Sequence, residues 1–306
     1  MKLLQGLVAS LLIALSPLGH ASPAASISDG SFATHDGARI HYLEAGQDKA
    51  APALVLIPGW TLTASLWREQ LQRFSAHRRV IAVDSRSQGG SSIMLTGNTP
   101  EQRAQDLHAL LASLHVERCV LVGWSQGAQD VAAYIQQFGT ASLAGVVFVD
   151  APVSAGTNEL DLRKAFSKAI LGGLSRYATD PAGYSAGMVR SIFLHPPADL
   201  DAVIAQAQRT PQAVGAAMLV SDIFGADRRP ALQQIDRPAL VIASANSPLL
   251  DAQKEMAAAI HGAVFTVLPN THHAVFVDDP QAFDTALAQL LSAADSRQGQ
   301  QPKAIR

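Results

Sequence analysis

The chain is short of several things that would each have set its class. It has a single cysteine in 306 residues, Cys119, so no intramolecular disulfide can form and a packed core must hold the fold. Charged residues make up only 16% against 48% hydrophobic ones, which excludes disorder over most of the length. The net charge is -2, and no run of Lys or Arg is long enough to track a phosphate backbone. Nucleic acid is therefore not an expected partner. The apolar run at the start, Leu3 to Leu15, falls short of the roughly 20 residues a spanning helix needs.

That run has another reading. Met1-Lys2, the apolar stretch, and then Ser16-Pro17-Leu18-Gly19-His20-Ala21 fit a secretory signal: a positive start, an apolar segment and a small residue at the cleavage point. Residues 1–21 are expected to be removed, leaving a periplasmic or extracellular protein with no stable membrane insertion. The length suits one large α/β domain with an insertion better than two ordinary domains.

After the signal, Ser31 to Thr34 and Arg39 to Glu44 flank Asp36-Gly37, which reads as a hairpin. Short apolar runs then alternate with helical patterns: Ala53 to Ile57, Val80 to Val83, Cys119 to Val122, Gly145 to Val149, Ala239 to Ala243 and Val264 to Leu268. Runs of strand length that are apolar on both faces are what buried parallel strands require, and Pro100 to Leu114 supplies a crossover helix. The expected class is α/β, with a doubly wound, mostly parallel sheet. Cys119 sits in one of these runs as a small core residue.

Roughly 90 residues separate Val149 from Ala239, too many for a single crossover. Helical stretches at Asn158 to Leu171, Ala198 to Gln208 and Gln212 to Phe224, punctuated by Gly172-Gly173, Asp180-Pro181 and Pro196-Pro197, predict a helical cap over the carboxyl edge of the sheet. The expected layout is a core at 22–151 and 236–294, a cap at 152–235 and a flexible tail at 295–306.

One motif carries chemistry. Val120-Leu121-Val122 leads into Gly123-Trp124-Ser125-Gln126-Gly127, and a helical stretch, Ala128 to Phe138, follows. A serine between a strand and a helix must sit on a tight, strained turn, and glycine at both flanks leaves room for the close approach. Ser125 is the expected nucleophile. Ser87-Gln88-Gly89 repeats the triplet but has Ser85 where the first glycine belongs; it reads as a decoy in the loop after Val80 to Val83.

An alcohol needs a base within hydrogen-bond reach, and the base needs a partner to fix its tautomer. His272-His273 follow the last strand through Pro269-Asn270-Thr271, in the Ser, acid, His order of such scaffolds. With no third ligand at helical spacing, the pair predicts neither metal nor cofactor. The oxyanion would be met by the backbone N–H of Gln126, and a second donor is expected from Pro58-Gly59-Trp60, at the N–H of Trp60.

This order of strand, Pro-Gly-Trp loop, Asp84 loop, Gly-Trp-Ser-Gln-Gly elbow, cap and late histidine resembles the α/β-hydrolase fold superfamily over Phe32 to Leu291. Members commonly carry His-Gly where Pro58-Gly59 stands, so the oxyanion loop is a variant. Alignment on the family's closing Gly-His pair puts the glycine on His272 and the base on His273. Trp67 resembles a recurrent position with a packing role. The resemblance would place the acid just before Pro248, where Ser247 is found beside Asn246, and neither can carry charge. Two candidates remain: Asp251, which also reads as an N-cap for a helix starting near Ala252, and Asp150, which ends the strand Gly145 to Val149. A subset of the superfamily places its acid after that strand, which favours Asp150.

A serine so activated performs acyl transfer, and the resemblance implies an esterase, lipase or amidase. Cap residues Phe166, Leu171, Leu174, Met188, Ile192, Phe193, Met218 and Phe224 could line a pocket or simply pack, so the expected partner is a small or medium apolar ester. Relatives of the cofactor-free perhydrolase or acyltransferase type use the same triad, and a silent receptor of the same fold is the alternative of another class. Epoxide hydrolases and haloalkane dehalogenases carry aspartate at the elbow, which Ser125 argues against.

Overall fold

The computed structural model describes residues 26–47, 50–154 and 165–298. The signal expected at residues 1–21, the start of the cap and the end of the tail lie outside them. Eight strands are present among the described residues: β1 (Ser28–Ala33), β2 (Arg39–Ala45), β3 (Ala53–Ile57), β4 (Val80–Val83), β5 (Cys119–Trp124), β6 (Leu143–Val149), β7 (Ala239–Ser244) and β8 (Val264–Leu268). They form one sheet in the order β1-β2-β4-β3-β5-β6-β7-β8. The hairpin β1–β2 joins antiparallel at one edge, and every pairing from β4 to β8 is parallel.

The apolar runs explain this arrangement. β3, β4, β5, β6 and β7 are buried at every residue, as central strands covered on both faces must be. Helices α1 (Arg68–Phe74), α2 (Pro100–Ser113) and α3 (Gln126–Phe138) follow successive strands. Leu71 and Phe74 of α1 share one core layer with Leu54, Val80 and Val122, whereas Leu107, Leu110, Val131 and Ile135 of α2 and α3 share the opposite layer with Val55, Leu121 and Val146. Cys119 is buried in that second layer, and burial pushes its thiol up to about 12. Trp67 is fully buried and stacks on Phe276 at 3.7 Å.

Between β6 and β7 lie α4 (Ala165–Thr179), α5 (Pro181–Ser191), α6 (Leu200–Ala207) and α7 (Gln212–Phe224); α8 (Leu250–Ala258), α9 (Val275–Asp278) and α10 (Pro280–Gln298) complete the chain. Two expectations are corrected here. Gly172-Gly173 does not end a helix: α4 runs through it, and a Cβ at Gly173 would stand 2.7 Å from the Tyr184 hydroxyl, so close packing offsets the helix cost of glycine, on the order of 1 kcal/mol. Asp180-Pro181 starts a helix instead of merely breaking one, since Asp180 Oδ1 accepts from the Gly183 N–H at 2.9 Å with Pro181 in the first turn. The expected tail is helical as far as Gln298, and Asp295 pairs with Arg78 at 2.9 Å. Among the described residues, no helix is long and apolar enough to cross a membrane.

Candidate active site

The carboxyl ends of the central strands deliver the expected residues to one place. Ser125 leaves β5 with φ 56° and ψ -119° and is followed at once by α3. Holding a non-glycine residue there costs on the order of 1–3 kcal/mol, and the neighbouring packing shows what enforces it. A Cβ on Gly123 would lie 2.2 Å from the Gly127 carbonyl oxygen, and one on Gly127 would lie 2.7 Å from that of Ile57. Both flanking glycines are thus required by contact. Among the described residues, positive φ at a non-glycine residue recurs only at Thr61, Ser87, His115 and Asp150, and Thr61 and Asp150 adjoin this same site.

Asp150 follows β6, with its N–H bonded to the Ile242 carbonyl of β7 at 2.7 Å. Its Oδ2 lies 2.7 Å from Nδ1 of His273. Its Oδ1 accepts from the Ser244 N–H at 2.9 Å and from Nε2 of Gln253 at 3.2 Å, so a carboxylate that is only 3% exposed meets three donors, as a buried charge must. The structure therefore joins Asp150, and not Asp251, to His273. Asp251 is exposed in the first turn of α8, and the N-cap of that helix is Leu249. The expected capping role is corrected as well, because the helix begins earlier, at Leu250.

The loop bearing His273 is fixed from four sides. The Trp124 indole donates to the His273 carbonyl at 2.9 Å, and the Ala274 N–H donates to Ile192 at 2.8 Å. The His272 N–H donates to Asp278 at 2.7 Å. The Thr271 carbonyl accepts from Ser244 Oγ at 2.6 Å and Asn246 Nδ2 at 3.0 Å. Asn246 and Ser247, which stand where the usual acid would, thus act as supports: Asn246 holds the histidine loop, and Ser247 Oγ accepts from the same Gln253 amide that reaches Asp150. Among the described residues, Nε2 of His273 makes no hydrogen bond, leaving it available to a hydroxyl.

Ser125, His273, His272 and Asp150 line one cavity of about 540 Å³, with Trp60, Gln126, Gln129, Leu174, Ile192, Leu219, Asp222 and Ile223 around it. A Cβ on Gly59 would stand 3.0 Å from that of Ser125, so the Pro58-Gly59-Trp60 loop runs directly beside the serine. The N–H of Gln126, in the first turn of α3, has no intrahelical acceptor, and the Trp60 N–H has no acceptor among the described residues.

Of the expected cap residues, Leu174 and Ile192 line the cavity, whereas Phe193 and Met218 are buried in packing and Phe224 is exposed; the side chain of Phe166 lies outside the described residues. Leu219 and Ile223 take the lining role one residue away from Met218 and Phe224. The sequence reading missed Asp222 and Gln253. A lone acid in the apolar stretch Met218 to Phe224 was the available signal for Asp222; Gln253 had none.

The decoy behaves differently. Ser87 is fully buried, and its Oγ both accepts from the Met94 N–H at 2.9 Å and donates to the Met94 carbonyl at 3.3 Å. It does not line the cavity.

A model of the alpha/beta hydrolase family matches residues 54–286. The chain belongs to that family. A non-heme chloroperoxidase of Streptomyces lividans is 35% identical over 123 residues, covering 40% of this chain and 44% of the relative. A bifunctional esterase/perhydrolase, DCH, of Acinetobacter calcoaceticus is 32% identical over 123 residues, with the same coverage of 40% and 44%. The matched region thus spans under half the length of these curated relatives. The crystal structure of the esterase RhEst1 from Rhodococcus sp. ECU1013 superimposes with a TM-score of 0.76 at 27% identity, covering 87% of this chain and 99% of that one.

Proposed function

We propose that the protein hydrolyses carboxylic esters of small to medium apolar groups through Ser125, His273 and Asp150. The observation that carries this reading is the 2.7 Å contact between His273 Nδ1 and the buried Asp150 carboxylate, in the lining of a cavity that Ser125 also lines. With its proton on Nδ1, His273 presents a bare Nε2 as general base. Ser125 Oγ attacks the ester carbonyl as its proton passes to Nε2. The oxyanion formed is met by the backbone N–H groups of Gln126 and Trp60. Collapse expels the alkoxide, which takes the proton from His273 and leaves as the alcohol. Water then repeats the sequence on the acyl-enzyme, releasing the acid and restoring Ser125.

The esterase name of RhEst1 and the esterase/perhydrolase name of the Acinetobacter relative support ester cleavage. The latter and the chloroperoxidase also favour a second reading, in which hydrogen peroxide replaces water on the same acyl-enzyme and a peracid is released. A panel of p-nitrophenyl esters of rising chain length, with and without peroxide, tests both. Release of p-nitrophenol by the wild type and none by Ser125→Ala is expected; retention of activity in Ser125→Ala would remove the reading altogether.

A further inference from the structure

Helix α7 of the cap touches both residues whose backbone N–H groups are assigned to the oxyanion, and it does so from one face. Near its start, the Gly215 carbonyl accepts from the Trp60 indole Nε1 at 2.9 Å. Near its end, Asp222 Oδ2 accepts from the side-chain amide of Gln126 in a short hydrogen bond. Gly215 and Asp222 are seven residues apart, two helical turns or roughly 10 Å along the axis, so both project on the same side. Between them Met218 is fully buried in a cluster with Trp60, Tyr177 and Val214.

Each anchor is itself held. Trp60 meets Tyr177 edge-on at 5.0 Å, and a Cβ on Gly215 would lie 2.4 Å from the Tyr177 hydroxyl, so only glycine lets α7 come this close. Asp222 Oδ1 accepts from Arg103 Nη2 at 3.1 Å, and Arg103 Nε donates to Asp130 of α3 at 2.9 Å. Asp222 is thus tied through Arg103 to the same helix that begins with Gln126. Just beyond α7, Arg228 Nη1 donates to Gln129 Oε1, again in the first turns of α3, at 2.9 Å.

We infer that α7 is a clamp that sets the spacing of the two oxyanion donors, with the Trp60 indole, the Gln126 amide and Asp222 as positioning residues. This rests on the serine-hydrolase reading above. The two donors follow the paired strands β3 and β5, which hold the two segments side by side, but no backbone hydrogen bond links Trp60 to Gln126 among the described residues; α7, bonded to both side chains, adds a second tie from the cap side. Substrate selectivity and catalytic rate are then coupled, since the helix that walls the cavity through Leu219 and Ile223 also holds the transition-state donors.

Trp60→Phe removes the indole donor and keeps a ring in the cluster, while Gln126→Met removes the amide and leaves the Arg103–Asp222 pair intact. Both keep the backbone N–H groups. Losing an oxyanion donor outright costs about a hundredfold or more in kcat, so displacing one should lower kcat about tenfold, with KM changed less than about threefold. The double variant should fall little further than either single variant, because a clamp released at one end no longer sets the spacing; a full loss of about a hundredfold would show two independent contacts and overturn the clamp. Affinity for a trifluoromethyl ketone, which forms a tetrahedral oxyanion adduct, should fall in parallel with kcat/KM. Thermal melting and Ser125→Ala are measured alongside. Variants that lose only melting temperature, or that raise KM alone, would overturn the clamp while an inert Ser125→Ala leaves the nucleophile in place; an active Ser125→Ala would instead remove the reading on which it rests.

Discussion

The molecule holds two Ser-Gln-Gly triplets, and each lies near a histidine–carboxylate pair. Both serines follow a central strand with positive φ, 56° at Ser125 and 66° at Ser87. Near Ser125, His273 spends Nδ1 on Asp150 and keeps Nε2 unbonded among the described residues. Beside the loop of Ser87, His41 of β2 spends both nitrogens: Nδ1 lies 2.8 Å from Asp84 Oδ2, and Nε2 lies 3.0 Å from Asp29 Oδ1. Asp84 also accepts from the N–H groups of Ala64 and Gly90, and Ser87 spends its hydroxyl on Met94. The same local letters therefore give a serine that lines a cavity in one place and a loop clasp in the other. What separates them is a hydroxyl and an imidazole nitrogen that, among the described residues, make no hydrogen bond and belong to residues lining a cavity, not the triplet.

Several substitutions would break this contrast if it is wrong. His273→Ala should lower kcat by roughly a thousandfold or more, the scale of losing a triad member, whereas His272→Ala, at a residue held through its backbone N–H, should stay within about tenfold. Rate assays on a p-nitrophenyl ester decide it, and equal losses would mean that the base is misassigned. Asp150→Asn should cost at least about a hundredfold through the wrong tautomer, with the melting transition retained. Asp251→Asn should leave the rate near that of the wild type. The reverse pattern would return the acid to α8.

On the clasp side the effects are smaller and fall on stability. Ser87→Ala leaves the half-buried Met94 N–H without its acceptor, a loss of about 1 kcal/mol, measurable as a lowered midpoint in urea with kcat unchanged. A drop in kcat without that shift would give Ser87 a role the contrast denies it.

Stability should also depend on pH with a definite sign. Burial pushes Asp130 up to about 7, against the pull of Arg103, and Asp284 up to about 6. Unfolded carboxyls titrate near 4, so between about pH 4 and 7 the folded chain binds more protons, and stability falls as pH rises. His41 is raised, chiefly by its hydrogen bond to Asp84; its contribution is full below about 6.5 and is lost as pH climbs through the folded value. The signs agree. The melting temperature should be higher at about pH 5.5 than at about pH 8, and Asp284→Asn should flatten part of the slope.

How much of this was legible followed the range of the interaction. Strand positions and the elbow could be read because buried parallel strands announce themselves in five-residue apolar runs and the elbow needs its two glycines by contact. Asp150 could be read because it ends such a run. Helix α5 was missed because Asp180-Pro181 serves equally as a break and as a start, and the continuity of α4 through Gly172-Gly173 depends on Tyr184 from the next helix. Gln253 reaches Asp150 across 103 positions, and Asp222 reaches Gln126 across 96; nothing local to either residue encodes such a partner.

The most direct measurement is fluorophosphonate labelling of the wild-type protein followed by peptide mapping of the adduct. The contrast between the two triplets predicts a single adduct on Ser125, lost in Ser125→Ala and unchanged in Ser87→Ala. An adduct on Ser87, or undiminished labelling of Ser125→Ala, would contradict it.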